Sequence, residues 1–309
     1  MRIQIGLLIL LMGCLACERI LNVTLPYEGN KFVVFGELSP QQVVSVRVER
    51  TYPPTGEVQF STGYLNMTKV TLIEDNQDIE VLRRIDNSNV FISTRQFKPK
   101  VGRSYQIRVE ATDFATAISE PQNIPLPVQN LSAVFSEKIV FSPLNERNPT
   151  KWLEVKFEKP VGIGIYLVAE IEGLHRDVKT SSNVISDRSV PEFGSPCAYS
   201  FSSSYKVFNG DCFNGSKNQL NFYVELEGTV QSSSGGGVTG NNVRIDAVSI
   251  KLSTSNEFNM SFYSNLSPTD GFLKAFETSK STVTNVRNGY GGILVKNESS
   301  IRIPVPVGT

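Results

Sequence analysis

The chain has 309 residues, with 30 Lys and Arg, 30 Asp and Glu, and a single histidine. Because basic and acidic side chains balance, there is no positive field to attract nucleic acid or an anionic lipid surface. The length suggests about two domains.

The N-terminal stretch GLLILLMGCLACERI, residues 6–20, predicts an export signal. Residues 3–12 are apolar except for Gln4 and Gly6. A run of about ten residues is too short to cross a bilayer core of roughly 30 Å as a helix. It suits the hydrophobic region of a secretory signal peptide, which is removed from the mature protein.

With two cysteines at its end, this run resembles a bacterial lipobox, in which the cysteine becomes the lipidated first residue of the mature protein. Cys14 has Leu11 three places upstream but leaves a very short signal, whereas Cys17 follows Ala16. We favour Cys17, with residues 1–16 as the signal and Cys14 as the alternative. An ordinary secretory signal with incidental cysteines is the competing interpretation.

Asn-x-Ser/Thr sequons indicate a different origin and localisation, because they are typical of eukaryotic secreted glycoproteins. Such short triplets arise by chance in a chain rich in Asn, Ser and Thr, so the lipobox is the more specific signal. The sequons lie at Asn22, Asn66, Asn130, Asn214, Asn259, Asn265 and Asn297.

The first part of the mature chain predicts a small antiparallel β-sandwich of the Ig-like kind over residues 26–126, after a tether at 17–25. The stretches KFVVFGEL, VVSVRVERT, KVTLIEDN and SYQIRVEAT are rich in β-formers or alternate apolar with polar residues. Turn residues separate them, as in a sandwich. The stretch SEPQNIPLPVQN then places three prolines close together, which predicts a boundary near residue 126.

The second part, residues 127–309, predicts a larger β-rich domain with one or two short helices. Strand patterns recur in KWLEVKFEK, IGIYLVAEIEG, NFYVELEGTV and NVRIDAVSIKLS. In STSNEFNMSFYSNL, Phe258, Phe262 and Leu266 recur every four residues, which favours a helix with Ser255 as its N-cap. Near the end, Asn288-Gly289 predicts a tight turn, and the glycines after it a bulge or a close backbone approach.

Two cysteines, Cys197 and Cys212, remain beyond the signal. In an oxidising compartment such a pair predicts a disulfide. It would close a loop of about 16 residues and contribute roughly 3 kcal/mol in the chain-entropy model. Two reduced, buried thiols are the alternative.

Catalytic patterns are weak, and we predict a protein that is not an enzyme, without metal or cofactor. His175 is the only histidine, so a nucleophile–histidine device or a histidine-based metal site would have to use it. The acidic residues carry no spacing typical of a glycosidase. A hydrolase is therefore a less favoured hypothesis.

Two aromatic features favour binding instead. In KWLEVKFEK, alternation places Leu153, Val155 and Phe157 on the core face and Trp152 on the other, among charges. Trp152 is there either covered by neighbouring structure or exposed as an anchor for a partner or a sugar. In CAYSFSSSYKVFNGDCF, Tyr199, Phe201 and Tyr205 alternate onto one face, which either packs inward or presents aromatic contacts suited to an interface.

The stretch CERILNVTLPYEGNKFVVFGEL resembles the start of Bacteroidota lipoproteins that carry the domain of unknown function numbered 4249. NVRNGYGGILVKNESS resembles their closing pattern, although Gly291-Gly292-Ile293 stands where the pattern has Gly-x-Phe-Gly, and Asn22 where an acid is usual. The order of a small sandwich, a proline-rich joint and a larger β-rich domain also agrees.

This resemblance implies a lipid on Cys17, since Glu18-Arg19 follow it as in the family. It also implies an outer-membrane protein, facing the cell exterior, that assists a TonB-dependent transporter in capturing or delivering a ligand. A structural or adhesive surface lipoprotein without a transported ligand is the alternative. The sequence does not identify the ligand.

Overall fold

In the computed structural model, nearly all regular structure is β-strand. The structure describes residues 28–52, 63–142, 145–160, 166–180, 184–186, 198–200, 205–213, 218–234, 237–266 and 283–306. Contacts divide the chain into two units, one of Met1–Gly29 with Tyr52–Gln59 and one of Asn30–Thr51 with Phe60–Thr309. Only Glu28, Gly29 and Tyr52 of the first unit are described, so the account below concerns the second.

The N-terminal part of this unit consists of short strands and one described 3-10 helix, Gly63–Met67. The strands are β1 (Phe32–Leu38), β2 (Ser45–Arg50), β3 (Lys69–Glu74), β4 (Gln77–Arg84), β5 (Val90–Ile92), β6 (Ser104–Glu110), β7 (Ala117–Ser119) and β8 (Gln122–Asn123).

The remaining part has longer strands, a second 3-10 helix at Gly210–Cys212 and the α-helix α1, Glu257–Leu266. Its strands are β9 (Gln129–Ser142), β10 (Asn145–Glu158), β11 (Tyr166–His175), β12 (Val178–Lys179), β13 (Val184–Ser186), β14 (Ala198–Ser200), β15 (Tyr205–Asn209), β16 (Asn218–Glu225), β17 (Glu227–Ser234), β18 (Gly237–Arg244), β19 (Ala247–Ser255), β20 (Val286–Arg287) and β21 (Gly289–Pro304).

The predictions of a mainly β fold and of a short helix near residue 258 are confirmed. The predicted N-cap was wrong. Ser255 is the last residue of β19, and its hydroxyl donates to the carbonyl of Val295 over 3.3 Å. Asn256 caps the helix instead, because its side-chain oxygen accepts a 3.0 Å hydrogen bond from the amide of Asn259.

The strands form one large mixed sheet and two small ones. The large sheet runs β14-β15-β11-β19-β21-β1-β2-β5-β4-β3-β6-β7-β20, with β12 beside β11 and β8 beside β6. The four-stranded sheet runs β13-β16-β10-β9, and β17 pairs with β18. The described pairings are antiparallel except for β1 with β21, which run parallel.

One hydrophobic core lies among β1–β7 and takes in residues from the end of the chain. Fully buried Phe32, Val46 and Ile107 pack in the same cluster as Ile293 and Val295 of β21. Residues 32–124 therefore share their core with a strand almost 170 residues further along the chain. The predicted domain boundary near residue 126, and the Ig-like assignment, stay predictions.

The parallel pairing of β1 and β21 depends on glycine. Gly291 has φ +101°, a conformation that side chains disfavour, and a Cβ there would lie 2.1 Å from the carbonyl oxygen of Val34. Gly292 gives room to the rings of Phe258 and Phe262 on α1. The predicted close backbone approach is confirmed.

A second core lies between the four-stranded sheet and the β11-β19-β21 part of the large sheet. Leu153, Val155 and Phe157 of β10 are buried in it, which confirms the predicted core face of that strand. Two facing β layers with interleaved side chains are the usual geometry of a sandwich core. This packing leaves the other face of the four-stranded sheet directed away from the second core.

Candidate functional site: an open sheet face at Trp152

Most of the sequence-predicted cysteine sites lie outside the described residues. This holds for Cys14, Cys17 and Cys197, and for the aromatic residue Phe201. Cys212 ends a 3-10 helix, but nothing is described of its side chain. Lipidation at Cys17 and the Cys197–Cys212 disulfide therefore stay predictions.

The structure places Tyr199 and Tyr205 in a different sheet from Trp152. Tyr199 lies in β14 and pairs with Val207 of β15, two residues after Tyr205. Val207 is buried against Val168 and Met260, so this face of β15 packs inward at that position. The side chains of Tyr199 and Tyr205 themselves lie outside the description.

Trp152 lies on the outer face of the four-stranded sheet, with its ring packed against Tyr223. The two residues are direct cross-strand partners on β10 and β16. Their ring centroids are 5.0 Å apart and the planes meet at 85°, an edge-to-face contact. Both side chains are half-buried. The next pair on this face, Thr150 with Glu225, is buried, so Trp152 marks the point where the face opens.

A row of polar side chains continues from Trp152 along the same face. Glu154 pairs with Asn221, and Lys156 pairs with Gln219. The Gln219 amide donates 2.9 Å hydrogen bonds to Glu154 Oε2 and to Asn221 Oδ1. Lys156 forms an ion pair with Glu154. The amide and carboxylate groups beside the aromatic pair are thus linked to one another by hydrogen bonds and an ion pair.

Two interruptions in the pairing of β9 with β10 bound this region. Between Phe135 and Ile139, β9 has three residues where β10 has only Trp152, and the register shifts again between Lys156 and Glu158. Such bulges bend a strand and redirect side chains, and they are common next to functional sites.

A cavity of about 250 Å³ lies at the second interruption. Phe157, which is 2% exposed and belongs to the second core, is the one apolar residue among those that line it. The other lining residues are polar, namely Asn130, Ser132, Lys156, Glu158, Asn218 and Gln219. Polar side chains that converge on a cavity can fix the orientation of a small ligand. We call the outer surface formed by Trp152, Glu154, Lys156, Gln219, Asn221 and Tyr223, together with this cavity, the Trp152 face.

Sequence reasoning found Trp152 but missed its neighbours. The signal was the alternation of NQLNFYVE, residues 218–225, in which Gln219, Asn221 and Tyr223 occupy one face while Leu220, Phe222 and Val224 are buried. What the sequence could not give is the register that sets Tyr223 opposite Trp152.

Among the residues that the structure describes, His175 contacts a backbone carbonyl and a carboxylate, and no Ser, Thr or Cys side chain. Its Nδ1 lies 2.8 Å from the carbonyl oxygen of Arg244 and 4.0 Å from the carboxylate of Asp246. Asp246 in turn accepts a 2.7 Å hydrogen bond from the amide of Arg176. Within the described ranges no cluster of three or more His, Cys, Asp and Glu side chains fits a metal ion.

The outward face of the β11-β19-β21 region is charged, and several of its charges form ion pairs with side chains of this or a neighbouring strand. Lys179 binds Glu172 over 2.6 Å and Lys296 binds Glu37 over 2.8 Å. Burial lowers the pKa of Lys296, but the hydrogen bond and charge of Glu37 outweigh this, so the pKa lies above its ordinary value. Surface pairs of this kind are typical of a solvated sheet and do not single out a ligand.

A larger cavity of about 600 Å³ lies at the end of the first core. It is lined by Leu65, Asn66, Thr68, Leu82, Arg84, Asp86, Asn87 and Phe91. Arg84 is occupied there, since it donates to the carbonyl of Ser88 over 2.7 Å and to the side chain of Asn66. Phe91, the aromatic residue among those that line this cavity, is buried, whereas Trp152 is only half-buried.

In the part of the chain that the structure describes, the fold and the site define a β-rich protein with two large cores and an open, aromatic and polar sheet face. Among the described residues, no helix has the length and apolarity needed to span a membrane. The chain belongs to the family of the domain of unknown function DUF4249, whose model matches residues 18–302.

The comparisons with individual proteins add little. No curated protein matches the chain. Among solved structures, a chain described as "Biofilm associated protein - BSP domain" matches with a TM-score of 0.20 and 6% sequence identity. That match covers 87% of this chain and 58% of the other, so this chain spans less than two thirds of it.

Proposed function

We propose that the protein is a lipid-anchored surface protein of the outer membrane that binds a ligand and assists a TonB-dependent transporter. The observation that carries the proposal is the order of parts at the N-terminus. The family domain begins at residue 18, directly after Cys17, and the segment before it has the short apolar run of a lipoprotein signal. A lipid on Cys17 would hold the protein at the membrane surface and raise its effective concentration near membrane partners.

The Trp152 face supports binding as the use of this scaffold. A half-buried tryptophan and tyrosine lie beside fixed amide and carboxylate groups and a cavity. Tryptophan and tyrosine are enriched among the few residues that supply most of the binding energy at interfaces. In the proposed exported protein, a Cys197–Cys212 disulfide would hold the segment that contains Tyr199, Phe201 and Tyr205. We propose these three residues, with Trp152, as contacts to the transporter.

The experiment combines mass spectrometry of the mature N-terminus with cross-linking and mild-detergent purification from native membranes. We expect an acylated Cys17 as first residue and co-purification of a β-barrel transporter. Cys17→Ser should release the protein from the membrane and abolish co-purification, whereas the matched change Cys14→Ser should leave both intact.

Four outcomes contradict parts of this proposal. An acylated Cys14 would show that the lipid is attached there and not at Cys17. An unmodified N-terminus would show that the protein has no lipid anchor at this end. Anchored protein without a barrel after cross-linking favours a structural or adhesive surface role. The last outcome concerns a folded variant with Ala at Trp152, Tyr199, Phe201 and Tyr205. If a barrel still co-purifies with this variant, the transporter remains a partner but these four residues do not form the contact.

A further inference from the structure

We infer that the Trp152 face binds a neutral oligosaccharide of several sugar rings. This inference rests on the proposed binding role and names the class of ligand.

The chemistry of the lining groups matches hydroxyl groups. Amide side chains both donate and accept hydrogen bonds, as sugar hydroxyls do. Gln219 and Asn221 lie next to each other on β16, and Asn130, Ser132 and Asn218 line the cavity. Groups of this kind, converging on one cavity, orient a polar ligand.

The aromatic pair supplies the apolar partner that a sugar ring needs. A pyranose ring has faces of C–H groups, which pack against aromatic carbon. The edge-to-face contact with Tyr223 holds the indole of Trp152 in one orientation, so little freedom is lost when a ring packs against it.

The charges of the face favour a neutral ligand. Lys156 is neutralised by its ion pair with Glu154, and Glu154 also accepts the hydrogen bond from Gln219. An anionic ligand would have to break this pair and would also meet Glu158 at the cavity. A cationic ligand would have to displace Lys156 from Glu154.

The length of the face sets the length of the ligand. Trp152 and Lys156 are four residues apart on β10, which corresponds to about 13 Å along a strand. One ring in the cavity therefore cannot also contact Trp152, whereas a chain of several rings can occupy both.

The single tryptophan makes the site directly observable. Full-length mature protein in mild detergent is titrated with maltohexaose, cellohexaose, xylohexaose and mannohexaose while the emission of Trp152 is recorded. Glucose and hexagalacturonate serve as the short and the charged comparison. We expect at least one neutral hexasaccharide to shift the emission saturably, and glucose to bind about tenfold or more weakly.

Gln219→Ala should weaken that binding about tenfold, because the residue lines the cavity and lies on the same sheet face as Trp152. The matched control is Gln77→Ala, an exposed glutamine on β4, which should leave the dissociation constant unchanged. Circular dichroism establishes that both variants are folded.

The inference is overturned if no neutral hexasaccharide changes the emission, if hexagalacturonate binds more tightly, or if Gln219→Ala has no more effect than Gln77→Ala. A saturable response to an extended peptide but to none of the saccharides also overturns it. Co-purification of the transporter is measured on the same preparation. If the transporter co-purifies but no saccharide binds, the saccharide inference fails while the proposed function stands.

Discussion

Glu80 shows how a buried carboxylate is used for structure. It accepts hydrogen bonds from the hydroxyl of Ser93 (2.7 Å), from the amide and hydroxyl of Thr94 (2.8 and 3.0 Å) and from the amide of Arg95 (3.2 Å). Burial raises the pKa of Glu80, but these hydrogen bonds together outweigh it and hold the pKa below its ordinary value. The carboxylate therefore fixes the loop after β5.

Glu80→Gln should destabilise the protein by about 2–3 kcal/mol at neutral pH, since the amide keeps one acceptor and turns donors toward the loop amides. Because the folded-state pKa is lowered, this contribution is fully present above the unfolded-state pKa and is lost as the pH falls through the folded-state pKa. Chemical denaturation at pH 7 and at decreasing pH measures it. The difference in free energy of unfolding between wild type and Glu80→Gln should become smaller in acid. The control Glu120→Gln, at an exposed position, should leave the free energy of unfolding unchanged. A constant difference would contradict the role of the charge.

At the scale of elements, β21 is the strand on which both cores depend. Residues 289–295 pair with β1 and residues 296–304 pair with β19. Where β19 ends, two buried asparagines continue its pairing. The side chain of Asn259 binds both the amide and the carbonyl of Val295, at 3.1 and 2.8 Å, and that of Asn285 binds both groups of Ile293, at 2.9 Å each. These amides replace a strand and satisfy backbone groups that would otherwise be buried unpaired.

Asn285→Ala should cost about 2–4 kcal/mol, because it leaves both backbone groups of Ile293 without a partner. Exposed Asn123, in β8, provides the matched control, and Asn123→Ala should change stability by less than about 0.5 kcal/mol. Urea denaturation compares the two variants. Equal losses of stability in the two variants would show that water can replace the Asn285 amide and that its hydrogen bonds to Ile293 contribute little to stability.

The elements also show what the sequence could predict. Alternation gave the buried face of β10 at Leu153, Val155 and Phe157, and the four-residue recurrence at Phe258 and Phe262 gave α1. These patterns are local, so the sequence carries them. The asparagines were not recognisable, since their partners Ile293 and Val295 are 8 and 36 residues away. The register that joins Trp152 to Tyr223 is nonlocal in the same way.

At the scale of the whole molecule, the N-terminal core is not made by the N-terminal residues alone. Val286, Ile293 and Val295 are buried among residues 32–124. Full burial of one such side chain is worth about 1.5–3 kcal/mol. Three of them therefore contribute on the order of 6 kcal/mol, comparable with the whole stability of a small domain.

A fragment of residues 26–126 should accordingly fail to show a cooperative thermal transition. The same fragment joined to residues 283–306 by a flexible Gly/Ser linker of about 20 residues, long enough to span the strand, should regain one. Calorimetry and the dispersion of amide NMR signals measure both. Gly291→Ala in the joined fragment is the specificity control, because its Cβ would lie 2.1 Å from the carbonyl oxygen of Val34 and block the pairing of β21 with β1. Cooperative melting of the 26–126 fragment alone would establish it as an independent domain. Cooperative melting of the Gly291→Ala protein would show that β21 acts through its side chains without pairing to β1.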